Sequence, residues 1–272
     1  ASPWATRQAY MGHFALTDVA GETFHAFERF ERGALGLAGA EAEPLRIWIG
    51  DWEVGTAAPG GTVTAGSGPD TVPGTVFRLE AAEGPVALDL RLAPSKPVVL
   101  QGVDGLSAKG PEPGNASYYY SLTRLGAAGT VTVDGVGHRV RGLAWLDREW
   151  STSALSPGLV GWDWFALQLD DGSDLMVYRL RREDGGTAPY SAGTFVAADG
   201  AVTQLDAGDW ALEATGSWES PRGERYPSGW RLRVPELGLA LTVDPRLRDQ
   251  ELDLAFRYWE GAVTVTGRRQ GD

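Results

Sequence analysis

The sequence contains no cysteine, so it has no disulfide, no thiolate metal site and no cysteine nucleophile. That absence leaves the redox compartment open. No run of about 18 apolar residues occurs, which removes a membrane-spanning helix, and no secretory signal pattern is present. A starting methionine is also missing. The chain opens Ala1-Ser2-Pro3-Trp4, which reads as a mature or trimmed chain and favours a periplasmic or secreted origin. Basic residues number 24 against 36 acidic ones, a formal charge of −12. Phosphate binding needs a basic stripe. Arg179, Arg181 and Arg182 form only a short cluster, so nucleic acid and anionic membranes are not expected partners.

Helical periodicity is the next absence. Only Arg32–Glu43, "RGALGLAGAEAE", reads as a candidate short helix. Strand patterns fill the rest: Phe24–Phe30, Leu45–Trp52, Val86–Leu92, Gly129–Gly135, Trp164–Leu180, Trp230–Val234 and Leu239–Val243 alternate or carry β-branched and aromatic residues. Asp-Gly turn signals stand at Asp104, Asp134, Asp171, Asp184 and Asp199. The 37 glycines and 16 prolines fit many strands joined by tight turns. The expected fold class is therefore all-β, a sandwich or barrel. The 272 residues allow one or two domains with a sizeable core.

Internal repetition sharpens this reading. "HFALTDVAGETFHAFERFER" from His13 is similar to "WFALQLDDGSDLMVYRLRR" from Trp164. "RLEAAEGPVALDLRLAPSKPV" from Arg78 is similar to "RLRVPELGLALTVDPRLRDQE" from Arg231. Both pairs recur at about 150 residues, the signature of a duplicated unit. A third pair, Gly129–Gly135 and Gly261–Gly267, follows Tyr118–Tyr120 and Tyr258-Trp259 respectively. Its spacing is shorter because Leu106–Ser117 is extra in the first half. The expected domains are 1–147 and 148–272, with the boundary near Trp145–Leu155. The first half continues into His138–Leu146. The second half stops at Gln270-Gly271-Asp272, so its closing strand is expected to be absent and one sheet edge left unpaired.

Five segments carry a resemblance to a known family: "GLAWLDREWSTSALSPGLVGWDWFALQLDDGSDLMVYRLR" (Gly142–Arg181), "YMGHFALTD" (Tyr10–Asp18), "KPVVLQGVDGLSAKG" (Lys96–Gly110), "GNASYYYSLTRL" (Gly114–Leu125) and "YWEGAVTVTG" (Tyr258–Gly267). Together they resemble the carotenoid 1,2-hydratase and AttH-like, lipocalin-like family along nearly the whole chain. The resemblance implies two tandem lipocalin-like (calycin-type) antiparallel β-barrels. It also implies an activity such as water addition to an isolated double bond of an apolar polyene, or pericyclic cyclisation as in fungal relatives. Relatives begin with a Glu-Trp-Trp-Tyr strand and end in a Gly-Tyr-Val-Glu-Leu-Thr-Gly-Tyr-like strand. Neither is in this sequence.

Candidate chemistry follows from strand parity. Asp163 shares a face with Phe165, Leu167 and Leu169, so it points into an apolar interior. There burial raises a carboxyl pKa and creates an acid able to protonate an alkene. The competing reading pairs it with an arginine. Trp162 and Trp164 stand on the opposite face, and an indole face stabilises a developing cation. Asp147 and Glu149 share a face and are candidates for a carboxylate pair of glycosidase type, or for salt bridges in a linker around Arg148. His13 occupies the repeat position of Trp164 and is a candidate proton shuttle or a structural histidine. His25 and His138 read as surface or structural. Tyr118, Tyr120, Trp150 and Phe14 are the remaining candidate ligand-binding rings, with Tyr119 on the alternate face. Asp170–Asp174 reads as a turn rather than a calcium loop. No His-Glu-x-x-His, phosphate loop, dinucleotide fingerprint or Gly-x-Ser-x-Gly elbow occurs, so no metal or organic cofactor is expected.

Three functions remain open at this point: a cofactor-independent hydratase or isomerase acting on a C=C bond by acid catalysis, a non-catalytic carrier of a hydrophobic ligand, and a carbohydrate-active hydrolase. The expected partner is an apolar small molecule, and the chain is a monomer or homodimer.

Overall fold

A computed structural model describes residues 5–57, 76–151 and 155–269. The chain ends on which the expectations about trimming rest, Ala1–Trp4 and Gln270–Asp272, lie outside the described residues, as does part of the expected domain boundary. All strand pairings are antiparallel. The single helical element among the described residues is a 3₁₀ turn at Pro235–Leu237.

The first half is built on one nine-stranded sheet. Its path runs Val136–Ser151, Ala116–Val133, Val86–Pro94, Phe77–Glu83, Trp52–Thr56, Leu45–Ile49 and Ala38–Ala42, with Val99–Leu100 and Leu106–Ala108 paired to Ala116–Val133. A separate hairpin, Ala9–Asp18 with Thr23–Arg32, lays Phe14 against Ala38, Ile49, Trp52, Ala81 and Val86. In the second half, Leu159–Gln168, Asp174–Arg182, Ala192–Val196 and Val202–Asp206 form one sheet. It packs on a second made of Ala211–Ala214, Trp230–Val234, Leu239–Pro245 and Val263–Arg269. Phe165, Leu167, Leu175, Val177, Trp230, Leu232 and Val243 fill the space between them.

Two expectations are corrected. Arg32–Glu43 is not helical: Ala38–Ala42 pairs as a strand with Leu45–Ile49. Leu35 and Gly36 take positive φ (55° and 74°), which a helix does not allow. Gly39 lies beneath the Trp48 indole, where a Cβ would meet the ring at 2.3 Å. No closed barrel is found either. The sheets are open among the described residues, and edges such as Ala38–Ala42 and Val136–Ser151 have no strand pairing to each other.

The Asp-Gly turns form as read, by two local devices. At Asp104-Gly105 and Asp134-Gly135 both residues take positive φ, the primed hairpin geometry. At Asp171, Asp184 and Asp199 the carboxylate instead accepts a backbone N–H two residues on, from Ser173, Gly186 and Ala201.

The halves are fastened reciprocally. The outer face of the hairpin 159–182 sits on the Ala116–Val133 strand. The outer face of the hairpin 9–32 sits on residues 250–258 near the other end of the chain. Trp164 Nε1 donates to Tyr119 Oη at 3.2 Å, and Gln168 Nε2 donates to the Thr123 carbonyl at 2.7 Å. On the other side, Thr17 Oγ1 donates to Gln250 Oε1 at 2.8 Å. His13 Nδ1 lies 2.7 Å from the Tyr258 hydroxyl.

Candidate active site

Antiparallel register decides which side chains meet. Ser117, Tyr119 and Ser121 pair with Ser151, Glu149 and Asp147. Directly opposed residues share a face, so Tyr119, Asp147 and Glu149 project together. Trp145, two residues before Asp147, joins them. Facing this layer is the outer side of the strand Leu159–Gln168, carrying Trp162 and Trp164 opposite Leu180 and Tyr178. Tyr119, Tyr178, Leu180 and Met176 pack as the floor, with Trp145 partly buried at its margin.

Asp147 is the centre of this cleft. Its Oδ1 accepts hydrogen bonds from Ser121 Oγ at 2.5 Å and Trp145 Nε1 at 2.9 Å. Burial raises its pKa above the ordinary aspartate value; hydrogen bonds from Ser121, Trp145 and Tyr119 pull it down, and the nearby Glu149 charge pushes it up. Among the described residues no cation lies within ion-pair distance of it. The residue is nonetheless exposed at the surface, so solvent screens part of this effect.

Glu149 is held differently. It accepts from Ser117 Oγ at 2.5 Å and pairs with Lys109 Nζ at 3.1 Å. The Lys109 ammonium also lies 4.0 Å from the centre of the Tyr178 ring and 5.5 Å from that of Tyr119. Of two carboxylates side by side, one is neutralised by a cation and the other is not. Burial also pushes the Tyr119 phenol well above its usual range, with the Asp147 charge adding to the effect, so Tyr119 serves as a neutral donor. Lys109 is shared with a neighbouring surface cavity of ≈ 470 Å³ that includes Ser156, Leu159, Arg182 and Tyr190. Asp147 is not among that cavity's walls.

The other sequence candidates fall elsewhere. Asp163 does share the interior face of Phe165 and Leu167, but it is not an isolated acid. Its Oδ2 is 2.6 Å from Arg179 Nη2 and its Oδ1 is 3.2 Å from Arg181 Nη1, with the side chain 8% exposed. The ion-paired reading is the one realised, because Asp163 and Arg179 are cross-strand partners. Arg148 does not bridge Asp147 or Glu149; it points to the opposite face, over the Trp150 ring. Tyr118, Tyr120 and Trp150 form an aromatic cluster on that same far face, away from Asp147. Phe14 is a core residue packed on Phe27 and Trp52. His13 is paired to Glu28 and Tyr258, outside this cleft. His138 is exposed and His25 half-buried. Sequence reasoning did not single out Lys109, Trp145, Ser121 or Tyr178; only register places them.

Trp162, 60% exposed, tests the cleft directly. Trp162→Ala is expected to weaken binding of an apolar ligand about five- to tenfold, the scale of one lost aromatic contact. Its effect on stability is expected to stay under about 1 kcal/mol, because the indole is largely exposed. Fluorescence titration and urea unfolding measure the two.

Fold and site together define an antiparallel all-β protein in which a carboxyl without an ion pair among the described residues accepts from the Trp145 indole and the Tyr119 phenol. The AttH-like family model matches residues 1–272, and the chain belongs to that family. Among solved structures it is similar to an AttH protein from Nitrosomonas europaea, with 31% identity over 99% of this chain and 79% of that one, at TM-score 0.83. It also shares the fold of kievitone hydratase from Nectria haematococca, with 16% identity, 96% and 75% coverage and TM-score 0.73. No curated protein sequence matches it.

Proposed function

We propose that this chain is a cofactor-independent hydratase or isomerase acting on a C=C bond of an apolar small molecule, with Asp147 as the acid. The observation that carries this reading is a carboxyl with no cation partner among the described residues, raised by burial, bonded to the Trp145 indole and linked through Tyr119 to that of Trp164. Oδ1 already accepts two hydrogen bonds, so the transferable proton belongs on Oδ2. That proton adds to the less substituted alkene carbon, and the π electrons form the new C–H bond. The neighbouring carbon becomes cationic, and the indole faces stabilise it. Water then adds to the cation and returns a proton to the Asp147 carboxylate, which completes hydration. Loss of a neighbouring C–H proton to the same carboxylate gives isomerisation instead. A hydratase among the proteins of similar fold supports the reaction class.

The two halves, 1–147 and 148–272, form the proposed pair of lipocalin-like units. Matching registers support the duplication. His13 opposes Glu28 and Met11 opposes Phe30 in one hairpin, as Trp164 opposes Tyr178 and Trp162 opposes Leu180 in the other.

The test is incubation with an acyclic polyene and a prenylated phenol in H₂¹⁸O, read by mass spectrometry. Hydration adds one water carrying the heavy oxygen, and isomerisation gives a product of unchanged mass and new retention. Saturable binding of both probes with no conversion would make the cleft a carrier site and overturn the enzymatic reading.

A further inference from the structure

The outer face of the hairpin 9–32 carries chemistry that the Asp147 cleft does not use. Met11, His13 and Thr17 line this face with Glu28 and Phe30, as the register dictates. Residues 250–260 cross it, setting Gln250 on Thr17, Tyr258 on His13 and Phe256 on Phe30.

For a neutral His13 ring facing an ionised Glu28, the hydrogen bonds run in one direction. His13 Nε2 lies 3.0 Å from Glu28 Oε2, so it carries the proton and donates to the carboxylate. Nδ1 is then an acceptor for the Tyr258 hydroxyl at 2.7 Å. With its hydrogen committed to His13, the Tyr258 oxygen has lone pairs left for an incoming donor. The His13 and Glu28 side chains are 12% and 17% exposed, so the relay is shielded from bulk water. Glu260 follows Tyr258 by two residues, and its charge is felt at both His13 and Tyr258. Its carboxyl forms no hydrogen bond with the described residues and remains reachable by solvent. Burial raises the Glu260 carboxyl, an effect that only the protonated form of His13 opposes, and burial pushes the Tyr258 phenol up to about 12. Around this polar group stand three exposed apolar side chains, Met11, Phe30 and Phe256, at 50%, 52% and 61% exposure.

We propose that His13, Glu28, Tyr258 and Glu260 form a second small-molecule site, independent of the Asp147 cleft, that takes an apolar molecule bearing one acidic, phenol-like hydroxyl. The ring lies against Met11, Phe30 and Phe256. The ligand hydroxyl hydrogen is shared between the Tyr258 oxygen and the Glu260 carboxylate, a three-centre bond. The relay also moves a proton in balance. The ligand O–H proton passes to the Tyr258 oxygen as the Tyr258 proton passes to His13 Nδ1. This leaves a ligand oxyanion and an imidazolium paired with Glu28.

The experiment uses ¹⁵N-histidine-labelled protein titrated with 2-naphthol, following the ring nitrogens of the three histidines. The His13 ring signals are expected to shift saturably while those of His25 and His138 stay in place. Tyr258→Phe is expected to weaken the response about tenfold, the scale of one hydrogen bond. Glu260→Gln, at a solvent-reached carboxyl, keeps the test valid if the tyrosine variant fails to fold, and it too is expected to bind more weakly. Asp147→Asn is expected to leave the His13 titration unchanged. Three results would overturn the proposal: no movement of the His13 signals at saturating probe, wild-type affinity in both Tyr258→Phe and Glu260→Gln, or loss of the His13 response in Asp147→Asn.

Discussion

Replacing Asp147 by Asn is expected to lower kcat by about 10²–10⁴-fold, the usual contribution of a positioned proton donor, while ligand affinity stays within about twofold. Asn keeps an oxygen for Ser121 and Trp145 and so preserves the local hydrogen bonds. It has no proton to give an alkene. The pH profile separates this from a structural effect. Burial holds the Asp147 pKa above the ordinary aspartate value, so the acid form persists to higher pH than in a solvated aspartate. Turnover is expected to fall as pH rises through that raised pKa, and the residual activity of Asp147→Asn is expected to lose this limb. The linked stability effect has a definite sign. A carboxyl with a raised folded-state pKa contributes stability below its unfolded pKa, and that contribution is lost as pH rises through the folded one. Asp147→Asn is therefore expected to be slightly more stable than wild type at neutral pH. The gain is expected to stay below about 1 kcal/mol because solvent screens the site. Glu149→Gln is the contrasting variant: its carboxylate is already committed to Lys109 and Ser117, and its loss is expected to cost less in kcat.

Much of this arrangement was legible in the sequence, and the misses have physical causes. Alternation alone put Asp147 with Glu149 and Asp163 with Phe165, and the Asp-Gly pairs marked turns that the backbone adopts. Alternation gives a face but not a partner. Arg179 neutralises Asp163 because the hairpin turn at Asp171-Gly172 sets the register, and that register is what turns a promising acid into an ion pair. Tyr118, Tyr120 and Trp150 were grouped with the site by ring chemistry, yet the pleat sends them to the far face of the strand that carries Asp147. His13 and Tyr258 are 245 residues apart. Only the docking of a hairpin from one half onto the other half joins them, and no local pattern encodes that. The Arg32–Glu43 segment misled because its alanines fit a helix, whereas Gly36 and Gly39 serve a turn and a close approach to Trp48.

The largest expected loss of stability is at Asp174. This residue opens the strand Asp174–Arg182 with its side chain 0% exposed. Lys96 Nζ and Arg124 Nη2 each approach it at 2.8 Å, and Thr123 Oγ1 donates to it at 2.9 Å. Thr123 and Arg124 are sequence neighbours, and in a regular strand they would point to opposite faces. Both reach Asp174 because the pairing with Val136–Ser151 shifts between Leu122 and Leu125, a bulge that redirects one side chain. Asp174→Ala would leave the Lys96 and Arg124 side chains, 5% and 15% exposed, without their counter-ion. Breaking one partner out of a buried ion cluster costs about 3–5 kcal/mol, and urea unfolding at unchanged m-value measures it. Replacing all three charges together, as Lys96→Met, Arg124→Met and Asp174→Leu, is expected to recover most of that loss, because an apolar set of similar volume carries no desolvation penalty. Failure of the triple variant to recover would place the stabilisation in the Arg124 hydrogen bonds to the Leu169 and Ser173 carbonyls instead. The clamp also bears on the cleft. It fixes the Ala116–Val133 strand, and Tyr119 with it, against the hairpin that carries Trp164. Asp174→Ala protein that is still folded is therefore expected to bind ligand more weakly than wild type, although Asp174 does not line the cleft.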